Sequence, residues 1–349
     1  MDRTSLLQAI SVGQPIQRED LTGFDLQGAD LSGATFEQVR FTGAELGGAD
    51  LVESNFIGCE FIGCAFAGTQ LKHATFVQCD LRNTVFSGAE LTVTDFVESD
   101  LTGASFVNMR LPLTTFVKSD LTRVSFAKST LDRVRMIEVT TAEMSLAGAE
   151  LVQFMSYDCD FRTVALTGAR MFQTVLVKVR FGNRDFSGMS LRYCQFNDSD
   201  LAGANFAGAT VNNSGFKGAD LRGASFEKAN AKNCVFFEAK LNGAKLMHAG
   251  LQQSIFLGAD LSGADARKAN LYQANFKNAK CERTCFAGAE LTYAEFLHTD
   301  ISAADFSGAS LFRTRFHRTK EDGVTFTNRS LALGDDETLA EAEDFRPNA

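Results

Sequence analysis

The sequence predicts an all-β fold: a quadrilateral parallel β-helix of about sixteen turns, with a short cap at each end. Three observations carry that prediction. From Leu21 to Leu331 every fifth residue is Leu or Phe in 53 of 63 places, and no insertion breaks the count. Two residues before each of these centres, 55 of 62 places between Phe24 and Arg329 hold Ala, Ser, Thr, Cys or Val. Sorted modulo 20, the column 31, 51, 71 … 331 is Leu in 13 of 16 places, and the column 36, 56, 76 … 316 is Phe in 12 of 15. A period of five fits neither a helix nor a strand. It fits a chain that turns one corner per pentad, with one large and one small side chain pointing inward. Segregation at twenty means that four corners close one turn, so residue n stacks on n+20 to build a Leu wall and a Phe wall. With turns at strand spacing, roughly 4.8 Å, such a rod would be about 75 Å long.

Residues 1–20 are expected to cap the first turn. Asp2–Val12 can form a short helix started by Thr4 or Ser5 and closed by Gly13 and Pro15. Covering the first turn matters because an open solenoid end is a sheet edge that invites polymerisation. Residues 21–331 form the uninterrupted repeat. Between 131 and 190 its pattern frays: centres weaken to Met136, Thr141, Ser156 and Met171, while small slots swell to Met144, Phe154 and Met189. At Phe154 and Ser156 the large and small positions are exchanged, which conserves core volume. Arg184 in a small slot has to reach solvent or a carboxylate such as Asp185, since burying a lone charge is costly. A bend is the expectation for this belt. The tail, 332–349, holds Asp335, Asp336, Glu337, Glu341, Glu343 and Asp344 against Arg346, a large share of the chain's net charge of −9. It is expected either to cap Leu331 and Leu333 as a short helix or to stay unfolded.

The residues carrying this pattern, such as Gly-Ala-Asp-Leu-Arg-Gly-Ala-Ser-Phe at 218–226, resemble the pentapeptide-repeat family over residues 21–331. The resemblance implies a right-handed quadrilateral β-helix with the pentad centre and the residue two before it inside. The functions of that family are diverse, so the fold does not fix the activity.

Composition and placement narrow the chemistry. Met1–Asp20 lacks the basic start and apolar run of a signal peptide, and no apolar stretch approaches a membrane span. A cytoplasmic protein is the expectation. Cys59, Cys64, Cys79, Cys159, Cys194 and Cys234 occupy small slots and Cys281 a centre, where a free thiol packs as a small hydrophobe. Cys59 and Cys79 should stack on adjacent turns. The histidines, His73, His248, His298 and His317, fall on outward positions, and only His298 and His317 can be neighbours. Two such ligands with no evident carboxylate make no convincing metal site, so no metal and no cofactor is expected. Aspartates before centres, such as Asp30 and Asp50, read as turn residues bonding local backbone. A filled prism offers no concavity for convergent catalytic groups; the sequence reads as a non-enzyme.

Three outward features can bind. The first is a column following the Phe centres: Ile57, Val77, Val97, Val117, Ile137, Tyr157 and Val177. Strand propensity alone explains β-branched residues on any side, yet the equivalent column on a neighbouring side reads Lys72, Thr92, Pro112, Asp132. A contiguous apolar stripe marks an interface with a protein partner or a second copy of the chain. The second feature is an acidic ladder, Glu60, Asp80, Asp100, Asp120. The third is a basic cluster, Arg313, Arg315, His317, Arg318 and Lys320, against which the acidic tail can fold.

The expected function is a rigid protein-binding scaffold or adaptor, with neither nucleic acid nor membrane as a direct partner. The opening Gly-Gln-Pro-Ile-Gln-Arg-Glu-Asp-Leu at 13–21 is similar to long members of the family associated with bacterial type VI secretion. That resemblance implies secretion-system or effector proteins as partners. The alternative that the family resemblance implies is a DNA mimic that binds type II topoisomerase to protect or inhibit it. DNA carries one charge per about 1.7 Å, so a rod of about 75 Å would need about 44, and the ladder supplies about a third of that density.

Overall fold

The computed structural model describes residues 1–345, and the folded chain divides into two compact units, Met1–Val179 and a second beginning at Arg180. Both are parallel β-solenoids, about sixteen turns in all. No helix among the described residues is long and apolar enough to cross a membrane.

The pentad explains the local structure. In the corner at Leu21, the Phe24 N–H donates back to the Leu21 carbonyl at 3.1 Å, and the second of the two residues between them, Gly23, holds φ +68°. The neighbouring turn is reached by the Leu21 N–H to the Arg40 carbonyl at 2.8 Å. Almost every fifth residue from Arg18 to Gly323 repeats the left-handed conformation, whether glycine or not. Centres and small slots are inside, and the register read from the sequence holds: Leu21, Leu26, Ala29, Leu31 and Ala34 are all buried.

In the first unit, helix α1 (Arg3–Ser11) precedes strand β1 (Ile16–Gln17). The Asp2 carboxylate, not Thr4 or Ser5, caps α1 by accepting the Ser5 N–H at 2.8 Å. Leu6 is buried and Ala9 nearly so. The Phe-wall side then carries β2 (Thr35–Glu37), β3 (Asn55–Ile57), β4 (Thr75–Val77) and β5 (Asp95–Val97). From residue 110 two sides alternate: β6 (Arg110–Pro112), β7 (Thr115–Val117), β8 (Thr130–Asp132), β9 (Arg135–Ile137), β10 (Glu150–Val152), β11 (Met155–Tyr157), β12 (Arg170–Phe172) and β13 (Val175–Val177). The first side is one parallel sheet, β1-β2-β3-β4-β5-β7-β9-β11-β13, each strand shifted by twenty residues from the last. Serines in its small slots complete the hydrogen bonding: Ser99 Oγ accepts from the Cys79 N–H at 3.0 Å and donates to the Phe76 carbonyl at 3.3 Å.

The core is built of phenylalanine stacks. Phe96 lies between Phe76 and Phe116, with ring centroids 5.1 Å away on each side and planes nearly parallel. A second stack, Phe66, Phe86, Phe106 and Phe126, meets the first edge-on, with Phe86 5.7 Å from Phe96. The sequence reading recognised one Phe wall; the structure has two.

The belt is regular where exchange conserves volume and irregular where charge intrudes. Phe154 and Ser156 are both buried, so the swapped pentad keeps its two inward side chains. At Phe181–Arg184 the left-handed residue is Gly182, one position early, and the Phe181 and Gly182 N–H groups share the Asp200 carbonyl. Arg184 is half-buried, and desolvation draws its guanidinium below its ordinary pKa.

The second unit carries β14 (Leu191–Arg192), β15 (Asp305–Phe306) and β16 (Thr325–Phe326), a 3₁₀ turn (Arg329–Leu331) and helix α2 (Glu337–Asp344). The repeat ends earlier than the count to Leu331 implies. Leu331 and Leu333 are 47% and 49% exposed, so no helix covers them. The end of the Phe stack is closed by Arg329 instead, whose guanidinium lies 4.5 Å from the Phe316 centroid and pairs with Glu321 at 2.9 Å. Tail residues up to Phe345 include α2; the rest of the tail, with Arg346, lies outside the described residues.

None of the eight cysteines is in a disulfide, and only Cys285 is not buried. Hydrogen bonding to Cys59, and then burial, push the Cys79 thiol well above its ordinary value.

Candidate functional site

The apolar stripe is a real column. Strand pairing aligns Ile57 with Val77, Val77 with Val97, Val97 with Val117, Val117 with Ile137, Ile137 with Tyr157 and Tyr157 with Val177. All seven point outward, because each follows a buried centre. Their exposure is smaller than the sequence suggested. Ile57 is 41% exposed, and the other six are half-buried. In-register neighbours one strand apart cover one another's flanks, which leaves a low, flat ridge. At its far end the Lys178 ammonium lies 5.4 Å from the Tyr157 ring centroid and donates to the Tyr157 hydroxyl at 3.2 Å.

The acidic ladder is aligned as well: Glu60, Asp80, Asp100 and Asp120 pair in register on successive turns. Its charge is largely engaged. Arg40 reaches Asp20 at 3.0 Å and Glu60 at 3.2 Å. Arg82 binds Asp80 through two guanidinium nitrogens and comes within 3.8 Å of Asp100. The Asp100 and Asp120 carboxylates also accept the Thr102 and Thr122 N–H groups at 2.9 and 2.8 Å. This is the turn role expected of aspartates before centres.

The basic cluster is brought together with the tail. Arg315 pairs with Glu295 and Asp336 at 3.4 Å each, Lys320 with Asp300 at 3.0 Å, and Arg318 with Glu343 and Asp344 at 3.3 and 2.5 Å. Arg313 instead lies over the Phe312 ring, 5.9 Å from its centroid. One expectation is corrected here. His317 holds the outward position the sequence assigns it, yet it is fully buried, because α2 folds across it. Its Nδ1 accepts the Asp336 N–H at 3.1 Å, and its Nε2 meets Glu343 at 3.2 Å. His298 Nε2 meets the other oxygen of the same carboxylate at 2.9 Å. The missing carboxylate for the histidine pair therefore exists, twenty-six residues beyond His317 in the chain. Sequence reasoning also passed over an exposed aromatic trio, in which Tyr293 packs edge-on against both Tyr272 and Phe312 at 5.9 Å. Its signal was present, since all three positions are outward and on successive turns.

Models of two related repeat families match the chain. One, described as pentapeptide repeat region, covers residues 49–134; the other, pentapeptide repeats in eight copies, covers 20–58, 185–214 and overlapping segments from 216 to 318. The chain belongs to the pentapeptide-repeat family. Among similar solved structures is HetL, a pentapeptide repeat protein involved in heterocyst differentiation regulation from the cyanobacterium Nostoc. It is 22% identical, with 68% of this chain and 86% of that one covered and a TM-score of 0.26. Full-length QnrB1, a plasmid-mediated fluoroquinolone resistance protein, is 17% identical, with 69% and 100% covered and a TM-score of 0.31. A pentapeptide repeat protein of the Arabidopsis thaliana thylakoid lumen is 35% identical over 29% of this chain and 68% of that one, with a TM-score of 0.20. No curated protein matches the chain.

Proposed function

We infer that this pentapeptide-repeat protein is a non-enzymatic scaffold that docks a protein partner on the stripe from Ile57 to Val177. The observation that carries the reading is the unbroken register of seven apolar side chains on one sheet. A flat β surface of that kind suits a partner presenting its own flat apolar face, and neighbouring strands held by the core make it preorganised. The DNA-mimic alternative draws no support from the acidic ladder, whose carboxylates are tied to Arg40, Arg82 and local N–H groups. Neither the matched families nor the solved structures named above carry a mark of secretion, so the scaffold reading stands without that context.

The test is Val97→Glu combined with Val117→Lys. Both side chains are on the outer side of the sheet, so far-UV circular dichroism should stay that of the wild type. Affinity capture from native lysate should lose a partner that the wild type retains. Identical captured proteins and identical self-association in the two would contradict the assignment.

A further inference from the structure

Where α2 closes on the last turns of the second unit, three donor groups converge. His298 sits in the left-handed corner position after Phe296, at φ +54°. His317 follows the centre Phe316 on the next turn, and its backbone carbonyl accepts the His298 N–H at 2.9 Å. Glu343 arrives from the last turn of α2 and places one carboxylate oxygen 2.9 Å from His298 Nε2 and the other 3.2 Å from His317 Nε2. One ligand atom from each of the three residues lies within 4.8 Å of the others. The His317 side chain is 1% exposed, and those of His298 and Glu343 are 31% and 26% exposed, so the group has one buried wall and one open side.

We propose that His298, His317 and Glu343 form a site for a divalent transition-metal ion of the zinc class, which fastens α2 to the solenoid. Two imidazoles and one carboxylate, with a fourth position open to water, are a donor set zinc favours. Bonds of about 2.0–2.2 Å in a tetrahedron set ligand atoms roughly 3.3 Å apart. Glu343 meets the two imidazoles through its two different oxygens, at 2.9 and 3.2 Å, and with one ligand atom from each residue the three lie within 4.8 Å, so the side chains have to draw together around an ion.

The second shell says what else must change. The Asp336 N–H points at His317 Nδ1, which fixes the proton of the neutral ring on Nε2, toward Glu343. A metal at Nε2 takes the place of that proton, and the ring adopts the tautomer with its proton on Nδ1. The Asp336 N–H then gives up its bond to Nδ1, and the Asp335 carboxylate, 3.7 Å from Nδ1, becomes the acceptor of the new Nδ1–H, the usual partner for a metal-bound imidazole. Arg318 also contacts Glu343, with Nε 3.3 Å from Oε2, and it holds Asp344 at 2.5 Å. Metal binding shifts Arg318 toward Asp344. His317 thus chooses between a proton that hydrogen-bonds the helix and an ion that coordinates it.

Full-length protein stripped with a chelator is titrated with Co²⁺, followed by displacement with Zn²⁺. The wild type should bind one equivalent, show the visible absorption of four-coordinate Co²⁺, and melt at a higher temperature with Zn²⁺ than with chelator. His298→Asn, which tolerates the left-handed corner, and Glu343→Gln should each weaken binding at least tenfold. His248→Asn, which alters an exposed histidine elsewhere, should bind as the wild type does. Circular dichroism confirms that the variants are folded. Failure of the wild type to bind one equivalent, or unchanged binding in both His298→Asn and Glu343→Gln, would overturn the site.

Discussion

Gly223 shows how a single residue carries the corner. It sits at φ +65°, and a Cβ built there would meet nothing within 4 Å, so conformation alone decides what is tolerated. A left-handed residue with a branched Cβ costs about 1–2 kcal/mol. Gly223→Val should therefore lose about that much stability in a denaturant titration, and Gly223→Asn much less, because Asn visits this region readily. Equal losses in the two would mean that packing, not backbone angle, governs the position. Phe96 makes the opposite case, since it is enclosed between two parallel rings and flanked by two more edge-on. Phe96→Ala should destabilise the protein by about 3–5 kcal/mol through the cavity it leaves, and an unchanged melting curve would contradict the assigned register. That register was legible in the sequence because the same two inward positions recur in every pentad. The second Phe stack was legible too, in Phe66, Phe86, Phe106 and Phe126, but a count that asks only for Leu or Phe hides it. The N-cap was not, because Asp2, Thr4 and Ser5 are all good caps and only geometry selects Asp2.

Among the elements, the strands of the stripe follow from local chemistry, whereas α2 depends on contacts distant in the chain. Its N-cap is Asp336, which accepts the Leu339 N–H at 3.0 Å. Acidic composition marked the tail as a candidate helix, but nothing periodic linked Glu343 to His298 and His317. For the same reason the sequence placed His317 on the surface: its side chain points away from the solenoid core, and only α2 buries it. The ion pairs of α2 make its docking sensitive to acid. Hydrogen bonds from His298, and then His317, hold the Glu343 carboxyl below its ordinary 4.5, and Arg318 holds Asp344 below 3.8. A carboxyl depressed on folding stabilises the folded state above its ordinary value and loses that contribution as pH falls through the folded value. Facing these two groups are His298, His317 and Arg318, with Asp335 on the far side of the His317 ring. The α2 resonances in an NMR titration should therefore move together as the pH falls below the ordinary carboxylate range, while those of the solenoid interior stay fixed. Coincident loss of both sets would show that α2 has no separate acid transition.

At the scale of the whole molecule, the repeat makes stability a sum of nearest-neighbour terms, and it fills the interior with Phe, Leu, Ala and small hydroxyl side chains. The outward columns are free to vary, each continuous only where the residue type persists turn after turn. By that criterion the stripe from Ile57 to Val177 stands out in the first unit; the histidine–carboxylate group of the second is no column but is assembled by α2 folding onto two turns. The stripe was legible because outward columns can be read modulo 20 as directly as inward ones. Its modest exposure was not, since mutual shielding between adjacent strands depends on side-chain packing. The most direct test of the docking claim is photo-crosslinking in the native cell, with a benzophenone amino acid placed at Val97 or, as control, at Thr92 on the neighbouring side. A discrete adduct with a second protein from Val97, absent from Thr92, is the predicted result. No adduct from Val97, or the same adduct from both positions, would contradict it.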